Sequence, residues 1–437
     1  MIDLKESNPM TSIDGTRENQ NSSLIVLSTL FFMWGLITVT NFMLIDELMN
    51  VFMLSITEAN IINLAFFGTY FVVSIPAGKL INGIGYKNGI IAGIVIAGIG
   101  CMLFYPAADA RSYSMVLLAM FVLATGITIL QVGANPYVVL IGRKHTGASR
   151  LTLVQAFNSL GTMLAPLLAA GLFMKIANYS PAELERMSPE GIRDAAATYV
   201  QLPYLTLGAI MFLLALLVGF SKLPKIITHE MEPLVKEPAS GPRKYVLQFP
   251  HLVLGALAIF AYVGAEVTLG RYLVLQHIQA TIQGSITGNQ GLAPMIERLI
   301  VFYWGGAMIG RFFGAYILTV LSPRKLIGLC SLIAAVLVAA YAFSGPSTDT
   351  SLWPIVAVGL FNSILFPCIF SMGIDGLGKF SEEGSSILIM SIVGGAITPF
   401  IFFELMDVSV IAAFGLIILS YLYITFYGFK GSVYKKK

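Results

Sequence analysis

The chain has 437 residues, of which 57% are hydrophobic and only 11% charged, and its formal net charge is +3. Soluble domains carry about 25% charged residues, so this chain lacks the charge to cover the two or three water-soluble domains its length would otherwise form. An all-α integral membrane protein is the reading that remains, and the small net charge argues against a nucleic-acid partner.

In chain order, residues 1–23 are polar and include Asp and Glu, unlike a signal peptide; they read as a cytoplasmic tail. The apolar run from Leu24 is too long for a signal core and is expected to stay as a span. At a rise of ~1.5 Å per residue, about 20 apolar residues cross a bilayer. Spans are expected over 24–49, 60–83, 89–109, 112–141, 150–176 and 203–222, an N-terminal six-helix bundle over 24–222. Six more are expected over 250–277, 296–320, 325–344, 352–375, 383–405 and 409–430, a C-terminal bundle over 250–430. Between them, 223–249 holds Lys225, Lys236, Arg243, Lys244 and several prolines and reads as a cytoplasmic linker; 431–437 is a second cytoplasmic tail. The polar segment 180–201 contains two Ser-Pro starts, each followed by Glu, and is expected to form one or two short helices over the outer mouth. The prediction is twelve transmembrane helices in two six-helix bundles.

With both termini inside, 20 of the 26 Lys and Arg fall on the inner side, Arg150 and Arg311 among them. Five fall outside, and Arg271 lies within a span. The halves also look like copies. Asn158 to Gly161 followed by Pro166 matches Ser391 to Gly394 followed by Pro399, and Gly78-Lys79 matches Gly310-Arg311, at offsets of 233 and 232.

Polar residues inside spans carry the functional reading. Gln131 and Asn135 stand one helical turn apart in the fourth span, and Pro136 removes a helical hydrogen bond beside them. Gln155 and Asn158 share a face of the fifth span; Asn41, Gln276 and Asn362 add further amides. Together with the aromatics Trp34, Tyr262, Trp304 and Phe361, this set suits a sugar, whose hydroxyls donate and accept while its C–H faces stack on rings. The alternative is interhelical amide bonding, at about 0.6 kcal/mol each. Glu266 costs ~2.5–3.5 kcal/mol to place near a helix centre, so it is expected to face a cavity and act there; a structural acid bonded between helices is the other reading. Asp46 and Glu47, near the outer end of the first span, and Arg271, near that of the seventh, suggest an outer latch, with interfacial snorkelling as the alternative. Cys101, Cys330 and Cys368 read as buried free thiols. His145, His229, His251 and His277 are scattered and no phosphate-binding Gly loop occurs, so no enzyme activity, metal or cofactor is expected.

The loop GKLINGIGYKNG over 78–89 resembles the helix 2–3 signature of the major facilitator superfamily, with Asn82 where that signature usually has Asp. FFMWGL (31–36), QVGANPYV (131–138), RLTLVQAFNSLGT (150–162), YVGAE (262–266), FNSILFPCIFSMGIDGLG (361–378) and VGGAITP (393–399) are similar to the fucose permease and glucose/galactose permease family. The resemblance implies alternating access and monosaccharide uptake coupled to a cation, usually the proton. In the fucose permease, acids in helices 1 and 4 serve sugar recognition and coupling. Here those positions hold Phe42, directly after Asn41, and Gln131. Coupling is therefore expected at Glu266, which is similar to an acid of the glucose/galactose branch, with Asp46 as a second candidate. The expectation is a monomeric hexose importer of the inner membrane, binding sugar through Asn41, Gln131, Asn135, Gln155, Asn158, Glu266 and Asn362. A proton is the first choice of ion, sodium the second and uniport the third; a sugar sensor without uptake is the rival of another class. Asp375 stands where the family tends to be basic.

Overall fold

A computed structural model describes residues 17–52, 56–172, 188–226, 228, 232–234, 244–287, 292–344 and 352–434; within these ranges the side chains of 17–20, 41–60, 63, 167–172, 189–200, 285–287 and 292–293 fall outside the description. The first half runs α1 (Arg17–Phe52), α2 (Ile56–Ile84), α3 (Tyr86–Asp109), α4 (Tyr113–Leu140), α5 (Gly147–Leu172) and α6 (Pro189–Phe220). The second runs α7 (Pro250–Thr287), α8 (Leu292–Ile317), α9 (Pro323–Ser344), α10 in two segments (Trp353–Asn362 and Leu365–Ile374), α11 (Ser381–Met390 and Gly394–Val408, joined by a 3-10 turn) and α12 (Val410–Phe426). Among the described residues, eleven stretches are long and apolar enough to cross a membrane. The twelfth helix, α5, is 26 residues long, about 39 Å at helical rise against a ~30 Å hydrocarbon core. The protein is a multi-pass, all-helical membrane protein.

Two expectations need revising. Residues 189–200, expected in short cap helices, are the first turns of α6; residues 180–187 lie outside the described residues. The tenth and eleventh spans are not continuous. The tenth is interrupted between Asn362 and Leu365, and the eleventh passes through a 3-10 turn over Ser391–Val393. Pro367 removes the N–H that would bond the carbonyl of Ser363, so the interruption falls where the helical ladder is already missing a rung.

Local chemistry sets the ends. Gly85, at φ 81°, joins α2 to α3 as a single residue in a conformation that only glycine adopts readily. Ser112 and Ser409 cap α4 and α12 by accepting from Met115 N and Ala412 N. The last turn of α4 is closed by Arg150, which donates to the carbonyls of Val138 (3.1 Å) and Val139 (2.6 Å) and, in the turn that follows, to that of Arg143 (2.9 Å).

Within the first half α5 packs along α1, and α3 along both α4 and α6; within the second, α11 and α10 pack along α7, and α12 along α9. The repeat recurs in three dimensions. A Cβ at Gly161 would run into the Phe32 carbonyl of α1, and one at Gly394 into the Phe260 carbonyl of α7. Backbones approach that closely only at small residues. The halves meet along two seams, α5 with α8 and α2 with the first segment of α11. Ser149 Oγ donates to Ala315 O (2.6 Å), Phe157 meets Phe312 edge-on, and Lys144 Nζ lies 2.7 Å from Asp375 Oδ1. The connecting segment joins in: Pro224 O accepts from Tyr137, Thr228 donates to Glu382, and Leu234 N donates to Gly376 O. These bonds close the halves against each other at the end where α4 turns into α5 and α10 into α11.

Candidate substrate and coupling site

Inside the first half the amides form a chain. Gln131 Nε2 donates to Tyr70 Oη of α2 (2.6 Å), Asn135 Nδ2 to Gln131 O (3.0 Å), and Gln155 Nε2 to Asn135 Oδ1 (3.3 Å). All three amide residues are buried. Pro136 explains the next contact. Lacking an N–H, it leaves the Val132 carbonyl without its helical donor, and Ser385 Oγ of α11 fills the place at 2.8 Å. Asn158, half-buried, donates to the Phe31 carbonyl of α1 (2.9 Å).

The second half builds its polar cluster on a charge. Tyr262 Oη donates to Glu266 Oε1 (2.7 Å), and Tyr303 Oη donates to the Glu266 carbonyl (3.1 Å). Asn362 spans two tyrosines: its Nδ2 donates to Tyr303 Oη (3.3 Å) and its Oδ1 accepts from Tyr421 Oη (2.9 Å). Arg311 Nη2 lies 3.8 Å from Glu266 Oε1, and only 14% and 13% of the two side chains are exposed. Arg311 Nε donates to Ser363 O (3.2 Å), the carbonyl that Pro367 leaves free.

The two clusters are joined. Arg311 Nη1 donates to Ser159 Oγ of α5, and Ser159 Oγ donates to Gln155 O (3.1 Å). A polar path thus runs from Tyr70 through Gln131, Asn135, Gln155 and Ser159 to Arg311 and Glu266, crossing from one half to the other. Of the residues predicted from sequence, Gln131, Asn135, Gln155, Glu266 and Asn362 belong to these two clusters, and Asn158 lies on the same helix as Gln155. Arg311, grouped from sequence with the inner-side basic residues, is folded in among α5, α7, α8 and α10. A proline four residues after Ser363 was the available signal for its partner. Tyr262 acts as a hydroxyl donor rather than a stacking ring alone, and Trp304 is 38% exposed. Arg271 is exposed on α7. Asn41, Asp46 and Glu47 fall on α1, but their side chains lie outside the described residues, as does that of Phe42. Among the described residues, no group of three His, Cys, Asp or Glu is placed to hold a metal.

Two helical halves that meet along two seams, with polar groups shared between them inside the spans, define a class of solute carriers. The chain belongs to the Major Facilitator Superfamily, which matches residues 25–402. It is 42% identical over 430 residues to the glucose/galactose transporter of Brucella abortus (strain 2308), covering 98% of each chain. It is 32% identical over 379 residues to the L-fucose-proton symporter of Escherichia coli (strain K12), covering 86% of this chain and 84% of that one. The crystal structure of the transporter FucP in the outward conformation matches with a TM-score of 0.79 at 30% identity, over 93% of this chain and 97% of that one.

Proposed function

We propose that this protein is a secondary active importer of a hexose, working by alternating access in the cell inner membrane as a proton symporter. The observation that carries the proposal is the polar path from Gln131 to Glu266, which spans both halves at membrane depth. In this reading Gln131, Asn135, Gln155, Asn158 and Asn41 hold sugar hydroxyls from the first half (24–222), and Glu266 and Asn362 from the second (250–430), with 223–249 as the linker. Each amide offers a donor and an acceptor, as a hydroxyl does. Glu266 carries the coupling proton: as a neutral acid it donates to a sugar hydroxyl, and as a carboxylate it accepts. Asp46 is a second acid for coupling. Asp46 or Glu47 with Arg271 forms a latch at the end opposite the seams when the cavity faces inward. The Lys/Arg bias supports cytoplasmic termini and, with them, a cytoplasmic position for the end where the seams close. The proton is supported by the relatedness to an L-fucose-proton symporter, and the hexose by the glucose/galactose transporters.

Counterflow in proteoliposomes with D-glucose, D-galactose, D-mannose, L-fucose and N-acetylglucosamine tests the reading, followed by uptake under proton and sodium gradients imposed separately. Exchange of at least one hexose and accumulation under the proton gradient are expected. Accumulation under the sodium gradient alone replaces the proton with sodium, and exchange with accumulation under neither makes the protein a uniporter. Binding without exchange makes it a sensor.

A further inference from the structure

The repeat places Arg311 on α8 where α2 has Lys79, yet Lys79 is exposed and Arg311 is not. The guanidinium spends its three nitrogens in three directions. Nε is held by Ser363 O, within its own half. Nη1 crosses to Ser159 Oγ of the first half. Nη2 points at Glu266 Oε1 from 3.8 Å, well beyond the ~2.7–2.9 Å of a tight charge-assisted bond. The crossing bond lies in the α5–α8 seam, alongside Ser149 with Ala315 and Phe157 with Phe312. Opening this end separates α5 from α8 and takes Ser159 away, and the carboxylate 3.8 Å off then lies within reach of a guanidinium still anchored at Nε.

We propose that Arg311 is a positioning residue that reports closure of this end to Glu266; the inference rests on Glu266 being the coupling acid. While the end is closed, Ser159 holds the guanidinium off the carboxyl group. Glu266 then carries a proton on Oε2, the oxygen that neither Tyr262 nor Arg311 contacts, and is neutral. When the end opens, Arg311 loses Ser159 and closes on Glu266. The O–H bond breaks, the proton leaves to water on the newly opened side, and a carboxylate–guanidinium pair remains; closure reverses the step. The titratable and charged groups facing Glu266 are Tyr262 on its own helix, Tyr303 and Arg311 on α8 and Tyr421 on α12. Of these, Arg311 alone is bonded across to the other half by the contacts described above.

The test compares proton-driven accumulation with equilibrium exchange in proteoliposomes of the full chain, using D-glucose, D-galactose and L-fucose. In Arg311→Gln the ratio of accumulation to exchange is expected to fall about tenfold, the weight of one opposite charge at this range. Arg311→Lys, which keeps the charge but loses the fork, is expected to fall between. Ser159→Ala leaves the guanidinium permanently free to close on Glu266. Its ratio also falls and is restored by acidifying the outside, whereas that of Arg311→Gln is not. A purely structural role lowers accumulation and exchange together and leaves the ratio unchanged, which overturns the inference. So does a Ser159→Ala variant that acid does not rescue. Glu266→Gln separates the two readings: an unchanged ratio there removes Glu266 itself, whereas a collapsed ratio beside unaffected Arg311 and Ser159 variants removes only the inference. No exchange with any of the three sugars removes both.

Discussion

The two halves are built from the same plan and diverge in the chemistry they place at the centre. In the first half the polar side chains are amides and a tyrosine, and the chain from Tyr70 to Gln155 bears no formal charge. In the second, an acid and an arginine meet inside a ring of Tyr262, Tyr303 and Tyr421. Backbone form diverges in the same direction. The helix carrying Gln155 runs unbroken from Gly147 to Leu172, whereas both α10 and α11 are interrupted. A neutral hydrogen-bonding wall suits recognition of a neutral polyol, since each amide matches a hydroxyl in either sense. In the proposed reading Glu266 gains and loses a proton, which calls for neighbours that move, and the interruption of α10 falls at Ser363, whose carbonyl holds Arg311.

The largest effect is expected where the halves are most alike. Gly161→Val and Gly394→Val each drive a side chain into a carbonyl of the neighbouring helix. Each should destabilise the protein by about 3 kcal/mol or more, seen as loss of the monodisperse peak and a lowered thermal midpoint in detergent. If only one of the pair does so, the helix contacts are not equivalent and the repeat is weaker than the landmarks suggest.

Next comes the contrast between recognition and coupling. Gln131→Ala should weaken sugar exchange about tenfold through a raised KM, the scale of one lost hydrogen bond in a buried site, while leaving the ratio of accumulation to exchange intact. Glu266→Gln should do the reverse and lower that ratio at least about tenfold. Equal effects of the two variants on both quantities would erase the proposed division of labour between the halves.

A third comparison sets Asn362 against Asn135. Asn362→Ala strands the Tyr421 hydroxyl and leaves Tyr303 its bond to the Glu266 carbonyl, whereas Asn135→Ala strands the Gln155 amide. Unmade buried bonds cost about 1–3 kcal/mol each, so each variant, with one stranded donor, should lower stability by about that much, read as a drop in the thermal midpoint. A negligible loss in either variant would mean that the stranded group finds another partner once the amide is gone.

Much of this was legible before any coordinates. Apolar length gives the helices, and one-turn spacing gives the contact from Asn135 to Gln131, because 3.6 residues per turn leaves little choice of neighbour. Glu266 is legible because a membrane-depth acid is costly. Arg311 was not, since an arginine near a predicted helix end has the same appearance whether it faces headgroups or turns inward. The helix interruptions were hidden inside apolar runs, where hydropathy carries no information on continuity. Two prolines held the missing signal. Pro136 frees the Val132 carbonyl for Ser385, and Pro367 frees that of Ser363 for Arg311. In both cases the freed acceptor four residues earlier is used by another helix, in the first by a helix of the other half.

The smallest effect is expected at Lys144 and Asp375, which also join the halves. Their side chains are 36% and 31% exposed at a separation of 2.7 Å, so solvent screens the pair and it is worth about 0–1 kcal/mol. Asp375 has other ties: Tyr434 donates to its carboxylate, and its carbonyl meets His251 Nε2 at 3.0 Å. The buried seams should therefore hold this end shut without help from the ion pair. A double-mutant cycle of Lys144→Met and Asp375→Asn, read as the closed fraction by distance measurements between spin labels across the seam, should give a coupling below about 1 kcal/mol that fades with added salt. A coupling above about 2 kcal/mol would reverse the ranking. The exposed pair would then be the main clasp of the closed end, and the buried contacts of α5 with α8 would be packing that follows from it.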